Sequence, residues 1–134
     1  MNELTDTTIF IDYLRGDTAA DQFLNKQLLT QCSLITAAEL IQGAADKKAQ
    51  RITENLLSKV RIISISQSIG ETMLRLMKLY AISHGLRIPD ALIAATAMEE
   101  NLTLVTANIK HFSFIKDLSL LDWKKERIEY SSRN

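Results

Sequence analysis

Residues 88–106, IPDALIAATAMEENLTLVT, combine a helix pattern with a strand pattern. Pro89 is well placed at the first helical position, where its missing N–H costs no hydrogen bond. The alanines that follow keep the side chains of this helix small, which suits close contact with a sheet or another helix. The short apolar run Thr103–Thr106 is typical of a strand. This stretch therefore predicts a helix followed by a buried strand, the repeating unit of an α/β fold.

The rest of the chain continues the same alternation. Candidate strands lie around Leu4 and at Ser33–Ile35, Val60–Ile65, Thr103–Thr106 and Leu118–Leu121. Candidate helices lie at Thr7–Arg15, Thr18–Leu28, Thr36–Gly43, Asp46–Ser58, Gln67–His84 and Pro89–Glu100. Strands separated by helices predict a parallel sheet with helices on both faces. Gly16, Gly43 and Gly85 each follow a periodic segment, as left-handed helix ends do.

Length and composition favour one ordinary globular domain. The chain has 134 residues, of which 46% are hydrophobic and 24% charged. We expect the domain to occupy residues 1–123 and the charged, polar tail, residues 124–134, to fray. The first strand is the weak element, because Met1–Thr5 is too polar for the centre of a parallel sheet. It predicts a very short strand or an atypical start.

Cysteine usage and hydropathy indicate a protein of the reducing cytoplasm. Cys32 is the sole cysteine, so no disulfide forms within the chain, and its apolar surroundings predict a buried, inert thiol. No apolar run approaches the length of a membrane span, and no signal pattern opens the sequence. The formal net charge of zero argues against nonspecific coating of nucleic acid. Any nucleic-acid site must therefore depend on a local basic patch, a partner or metal ions.

Polar residues fall where the predicted strands end. Asp6 follows the first strand, Glu39 and Asp90 open later helices, and Asn108 follows Thr103–Thr106. Ligands of parallel α/β sheets bind outside the carboxyl ends of the strands, so this topology can gather the four side chains at one edge. Mg²⁺ and Mn²⁺ prefer carboxylate oxygens and water, and they activate water for phosphodiester hydrolysis. A cluster of acids needs such a cation, or protons, to offset its repulsion.

Each acid also has a purely structural interpretation. Thr36 and Glu39 fit a capping box, in which Glu39 bonds back to the helix start. Asp90 would offset the helix dipole, and Asp6 would act as an N-cap. The joint placement of the three acids at helix starts favours the metal-site hypothesis.

Several other polar or aromatic residues are further candidates for this site. Asp12 is better explained by an ion pair with Arg15 than by a metal. Thr106 is a candidate to hold water or a carboxylate beside the metal. His84 and His111 have no second His or Cys at metal spacing, which argues against zinc. Tyr13 and Phe112 fit the core better than base stacking. The basic candidates for phosphate contacts, each with a solvated surface role as its alternative, are Arg15, Arg87, Lys110 and Lys116.

Four segments resemble the motifs of PIN domains, and together they span most of the chain. They are the Asp-Thr opening at Asp6–Gly16, Ile35–Leu40 around Glu39, Ile88–Ala95 around Asp90, and Leu104–Phe112 around Asn108. In size and motif variant the chain is most similar to the VapC-type toxins of bacterial toxin–antitoxin pairs.

The resemblance implies a three-layer α/β/α sandwich with a central, mostly parallel sheet. It also implies a Mg²⁺- or Mn²⁺-dependent ribonuclease that forms a homodimer, cuts structured RNA such as transfer RNA, and is blocked by a small antitoxin. Asp6, Glu39 and Asp90 match the metal-binding acids of the family. Asn108 stands where many members have a fourth acid, which lowers the charge available to a second ion. Thr106 and Arg15 are possible supporting residues.

Other functions remain open on the sequence alone. A catalytically weak PIN module would act mainly by binding an antitoxin or regulator, and Asn108 and the polar first strand favour it modestly. A phosphoacceptor receiver domain also clusters acids at a sheet edge, but it needs adjacent acids where this chain has Asp6 between two threonines. Two histidines would be able to cleave RNA without metal, yet the sequence does not bring His84 and His111 together.

Overall fold

The computed structural model describes the backbone of residues 2–132 and the side chains of residues 2–130. The strands are β1 (Glu3–Thr5), β2 (Gln31–Ser33), β3 (Arg61–Ile63), β4 (Thr103–Thr106) and β5 (Leu120–Asp122). The helices are α1 (Thr7–Leu14), α2 (Thr18–Lys26), α3 (Leu34–Gln42), α4 (Lys47–Leu57), α5 (Gln67–His84), α6 (Ile88–Glu99) and α7 (Trp123–Ser132). A short 3₁₀ turn, Ile109–His111, follows β4.

All strand pairs are parallel, as the alternating pattern predicts. One sheet has the order β1-β4-β5 and the other pairs β2 with β3. The two sheets meet where β1 and β2 lie side by side, and there the Gln31 side-chain amide donates to the Glu3 carbonyl at 3.3 Å. The carboxyl ends of β1 and β4 are therefore neighbours at the centre of the molecule.

Helices cover both faces of this sheet. Neighbouring residues of a strand point to opposite faces, and Leu104 and Val105 of β4 belong to two different hydrophobic clusters. The Leu104 cluster takes in the apolar sides of α5 and α6, whereas the Val105 cluster takes in α1, α2 and α7. The predicted three-layer α/β/α arrangement is confirmed.

The first strand is very short, which its polar sequence predicts. All three residues of β1 are buried although two of them are polar. Burial raises the pKa of the Glu3 carboxyl, and Lys26 opposes this rise through its charge. Leu4 contributes the apolar side chain that this strand buries in the core.

The prediction of a frayed tail is wrong for residues 124–132, which form most of α7. Tyr130 is only 3% exposed and its ring packs edge-on against Phe23 of α2, with 6.0 Å between centroids. Arg127 Nε also donates to Asp17 Oδ2 at 2.8 Å. These partners lie more than 100 positions away in the sequence, so local polarity gave no sign of them. Residues 133 and 134 of the tail lie outside the described residues.

Two local predictions about helix ends also need correction. Gly43 has a φ of −78°, so it is not left-handed, whereas Gly16 and Gly85 have φ values of +87° and +69°. The helix after β2 begins at Leu34, not at Thr36, because Ser33 Oγ caps it by accepting from the Thr36 amide at 3.1 Å.

Burial of Cys32 is confirmed. Its side chain is fully buried, and desolvation raises the pKa of the thiol to about 12. A thiol that stays protonated in this way is a poor nucleophile.

No helix of residues 2–132 is both long and apolar enough to cross a bilayer.

Candidate active site

Asp6 lies at the centre of the candidate site, between β1 and α1. Its backbone amide donates to Val105 of β4 at 3.0 Å, which holds it against the neighbouring strand. Its Oδ1 accepts from the Thr7 amide at 2.7 Å, and its Oδ2 accepts from Thr106 Oγ1 at 2.6 Å. The expected N-cap is therefore present, but it uses only one carboxylate oxygen. The residue is 4% exposed, so a carboxylate is fixed in a nearly dry position.

Glu39 does not form the capping box that its spacing suggests. The cap of α3 is Ser33, and Glu39 Oε1 instead accepts from Thr7 Oγ1 of α1 at 2.9 Å. The same threonine therefore contacts both acids, through its amide on Asp6 and through its hydroxyl on Glu39.

A row of three hydroxyls leads to Glu39. Ser33 Oγ donates to Thr36 Oγ1 at 3.1 Å, and Thr36 Oγ1 lies 3.0 Å from Thr7 Oγ1. Since the Thr7 hydroxyl uses its one proton on Glu39, the Thr36 hydroxyl must donate to Thr7. The direction of the row is thus fixed, and each donor helps to orient the next.

Asp90 sits in the first turn of α6, and its side chain is half-buried. Its Oδ2 lies 3.3 Å from His111 Nδ1. Burial raises the pKa of Asp90, while His111 and Arg87 oppose the rise. His111 is therefore not isolated in the fold, although the sequence gives it no partner at metal spacing.

The charges of Glu39 and Asp90 act on the Asp6 carboxyl. Burial is the largest cause that raises the pKa of Asp6, and the charges of Asp90 and Glu39 raise it further. The hydrogen bonds from Thr106 and Thr7 act in the opposite direction. Both charged neighbours that shift this pKa are acids, so Asp6 experiences the like-charge repulsion expected from the sequence.

Asn108 and Thr106 are joined at the end of β4. The Asn108 amide N–H donates to Thr106 Oγ1 at 3.0 Å, which leaves the hydroxyl proton of Thr106 for Asp6. Among residues 2–130, no side-chain hydrogen bond engages the Asn108 carboxamide. Arg15 lies at the other side of the site, where it lines a groove together with Glu39.

The chemistry of these donors fits a hard divalent cation. A buried carboxylate with two further acids acting on it is the ligand type that Mg²⁺ and Mn²⁺ prefer. Across the described residues, however, no three His, Cys, Asp or Glu side chains are arranged to hold a metal ion together. Mg²⁺ commonly takes only one or two carboxylates and keeps several waters. The donor set therefore fits an ion held by one or two acids, with a third acting through water.

The structure also places the other residues that the sequence suggested for the site. Asp12 does not pair with Arg15; its Oδ2 accepts from Trp123 Nε1 at 3.0 Å. Phe112 is buried in one core cluster and Tyr13 packs against the other, which confirms their structural assignment. Arg87 and Lys110 lie beside Asp90 on the wall of one small cavity, whereas Lys116 does not line it.

Sequence reasoning missed Thr7, Ser33 and Thr36 as parts of the site. Thr7 and Glu39 are 32 positions apart, so no local pattern connects them. The available signal was the pair of oxygen-bearing side chains three positions apart, Ser33 and Thr36, which is typical of a helix start. This pair predicts the N-cap at Ser33 instead of Thr36, and Glu39 is then no longer expected to form a capping box.

A family model and several known proteins match this chain over most of its length. The PIN domain model matches residues 4–116. The Mycobacterium tuberculosis (strain ATCC 25618 / H37Rv) protein "Ribonuclease VapC19" is 34% identical over 122 residues, covering 87% of this chain and 96% of its own.

Two solved structures illustrate the similarity of fold. A toxin–antitoxin complex from Klebsiella pneumoniae has a chain 37% identical with a TM-score of 0.75, covering 89% of this chain and 95% of its own. VapBC2 from Rickettsia felis, bound to a DNA fragment from its promoter, is 31% identical with a TM-score of 0.73, covering 92% and 99%. These matches contradict the receiver-domain alternative. By the extent of the family match and the identity of its relatives, the chain belongs to the PIN domain family.

Proposed function

We propose that this chain is a metal-dependent endoribonuclease and the toxin of a toxin–antitoxin pair. The observation that supports the proposal most directly is the Asp6 carboxylate, which Thr7 connects to Glu39 and whose pKa is raised by burial first and then by the charge of Asp90. The relatives named ribonuclease and the solved toxin–antitoxin complexes support the class of activity.

Asp6, Glu39 and Asp90 would hold Mg²⁺ or Mn²⁺, directly or through water. A bound ion of this kind would supply an activated water and neutralise the negative charge on the phosphate oxygens in the transition state. The protein's part is to hold the acids in place. Thr106 fixes Asp6 Oδ2, Thr7 orients Glu39, and the free carboxamide of Asn108 is available to orient water or substrate. Cleavage would leave 3′-hydroxyl and 5′-phosphate ends, as the family resemblance suggests.

Amide substitution of the three acids tests this mechanism. D6N, E39Q and D90N should each lower Mn²⁺-dependent RNA cleavage by more than about 100-fold, since loss of residues that merely support a metal ligand already costs about 10–100-fold. Circular dichroism should show the folded state in each variant. The matched control is D21N, an exposed acid on α2 whose substitution should leave cleavage unchanged.

Two results would contradict the mechanism. Undiminished cleavage by all three amide variants would remove the acids from the reaction, and undiminished cleavage in excess chelator would favour a metal-free route through His84 and His111. Absence of RNA cleavage by the purified parent with Mn²⁺ would instead favour the binding-module alternative. We find no structural observation that specifically supports that alternative.

A small antitoxin is the proposed partner, and a groove beside the site suits it. The groove has a volume of about 340 Å³, and Ile11, Leu14 and Leu40 line it together with Arg15 and Glu39. An apolar segment of the antitoxin bound in this groove would end next to Glu39. A basic side chain of the antitoxin at that point would block the acids of the site. Inhibition of RNA cleavage by the product of a short gene beside this one is expected. A lack of inhibition would count against the pairing.

We also propose that the chain acts in the cytoplasm as a homodimer and that its target is structured RNA, such as transfer RNA. The proposed RNA substrate supports the cytoplasmic location. Exposed apolar side chains on α5 support the homodimer.

A further inference from the structure

A small cavity adjoins the acidic site on the side of Asp90. Its volume is about 200 Å³, and it lies where the end of α5, the start of α6 and the 3₁₀ turn after β4 meet. The lining side chains that matter are His84, Arg87, Asp90, Lys110, His111 and Phe114. This cavity has no part in the proposed metal site apart from the shared acid, Asp90.

The charge of this cavity stands out in a chain whose formal net charge is zero. Arg87 and Lys110 are exposed cations, and two imidazoles join them. The one acid, Asp90, already faces His111 at 3.3 Å. A protein that binds RNA without an overall positive charge must concentrate cations in one place. The cavity is such a place, next to the acids.

Aromatic contacts give the cavity a firm wall. The His84 ring stacks on Phe114 with 4.4 Å between centroids and 13° between planes, and Tyr80 packs edge-on against both rings. His84 Nδ1 is 2.8 Å from Ser83 Oγ. The next residue, Gly85, is left-handed with φ +69°, so the chain turns sharply, and the buried Leu86 after it also lines the cavity. The imidazole of His84 is therefore held in place on the wall.

The size of the cavity limits what it can hold. Sites for drug-sized ligands have volumes of about 300–1,000 Å³, so about 200 Å³ suits a fragment such as one phosphate with part of its ribose. Arginine and lysine are the side chains that contact phosphate most often in nucleic-acid complexes. An RNA strand with a phosphate seated here would pass Asp90 as it enters the acidic site.

We propose that this cavity binds a backbone phosphate of the RNA substrate, on a nucleotide neighbouring the one that is cut. Arg87 and Lys110 supply the charge, and the His84–Phe114 stack forms the wall. The inference rests on the proposed ribonuclease function, because it names how the same site would hold its substrate. It adds a positively charged contact to the RNA backbone, which the three acids themselves do not provide.

Binding without cleavage tests the proposal. A short fluorescein-labelled oligouridine is titrated in chelator with the parent, R87Q, K110Q and the double variant, at several salt concentrations, with fluorescence anisotropy as the readout. Each single variant should weaken binding and reduce the slope of log K against log salt by about 0.7, the value for one single-strand phosphate contact. The double variant should reduce this slope by about twice as much. K125Q, which removes an exposed lysine of α7, should match the parent.

Each outcome is decisive for the cavity and separate from the catalytic test. Parent-like affinity and slope in the double variant would overturn the phosphate assignment. Binding of polyglutamate that depends on Lys110, together with RNA binding that does not depend on it, would also overturn the assignment. That result would indicate an acidic protein segment as the occupant. Because no cleavage is measured, weakened binding in R87Q and K110Q would stand even if the amide variants of the acids still cut RNA. That combination would overturn the mechanism and keep the phosphate site.

Discussion

At the scale of single residues, Asp6 shows how burial and function are connected. Its carboxylate accepts from Thr7 and Thr106 and is almost inaccessible to solvent. Two hydrogen bonds favour its charged form, yet desolvation and two neighbouring acids raise its pKa above the ordinary value. The fold therefore holds a charge in a place that destabilises it, which is typical of functional sites.

This strain predicts a particular dependence of stability on pH. An acid with a raised pKa in the folded state stabilises the fold when protonated, and this contribution is lost as pH rises through the folded pKa. As pH rises above the ordinary aspartate pKa of 3.8, the free energy of unfolding of the parent should therefore decline relative to that of D6N. Chemical denaturation of both proteins across this range, without metal, measures the difference. Parallel curves would mean that burial does not raise the pKa of Asp6.

At the scale of whole elements, α7 depends on contacts made far from it in sequence. Trp123 and Tyr130 bury their rings against Phe23 of α2, and Lys26 lies 5.0 Å from the centre of the Tyr130 ring. The outer side of α7 remains exposed, as Ile128 at 69% shows. Two aromatic side chains about two turns apart thus fix a segment whose composition is that of a solvated tail.

Substitutions on the two sides of α7 should therefore differ in effect. Y130A should lower the free energy of unfolding by about 3 kcal/mol, as loss of a large buried aromatic does. I128A, its control on the same helix, should change it by no more than about 0.5 kcal/mol. Urea denaturation of the two variants and the parent compares them directly. Equal effects would show that α7 is held by something other than the Tyr130 ring.

At the scale of the whole molecule, the exposed apolar surface of α5 suggests how two copies associate. Ile82 is 101% exposed, and Leu74 and Leu79 are each more than half exposed on the same helix. Large exposed apolar patches commonly mark interfaces between proteins. Helix α5 also packs closely on α6, which carries Asp90, so a partner on α5 would support the wall of the site.

The proposed homodimer can be tested at this helix. I82E should shift the protein towards monomer in sedimentation equilibrium, because a carboxylate would be desolvated at the interface. L28E is the control, since Leu28 is just as exposed but follows α2 on another part of the surface. A parent that is already monomeric over the measured concentrations would refute the dimer. A parent-like dimer in I82E would place its interface elsewhere.

Much of the fold could be predicted from sequence because its signals are local. The bounds of Gln67–His84 were correct, and the order of strands and helices followed from alternating apolar runs. The assignment of Glu39 to a capping box failed because two overlapping cap patterns, at Ser33 and at Thr36, compete within the same turn. In the fold Ser33 caps the helix, and Glu39 instead contacts Thr7 on another helix.

The amino-acid sequence by itself determined an α/β chain with an acid or amide after several strands, because periodicity and helix-start chemistry depend on neighbouring residues. The tertiary structure decided which of those side chains meet. Placing β4 against β1 brings Thr106 to Asp6 across 100 positions, and packing α1 on α3 brings Thr7 to Glu39. Such contacts depend on strand order and helix packing, which are properties of the whole chain and leave no local pattern. The proposed phosphate cavity arises in the same way, from two segments, residues 84–90 and 110–114, that meet only in the folded protein.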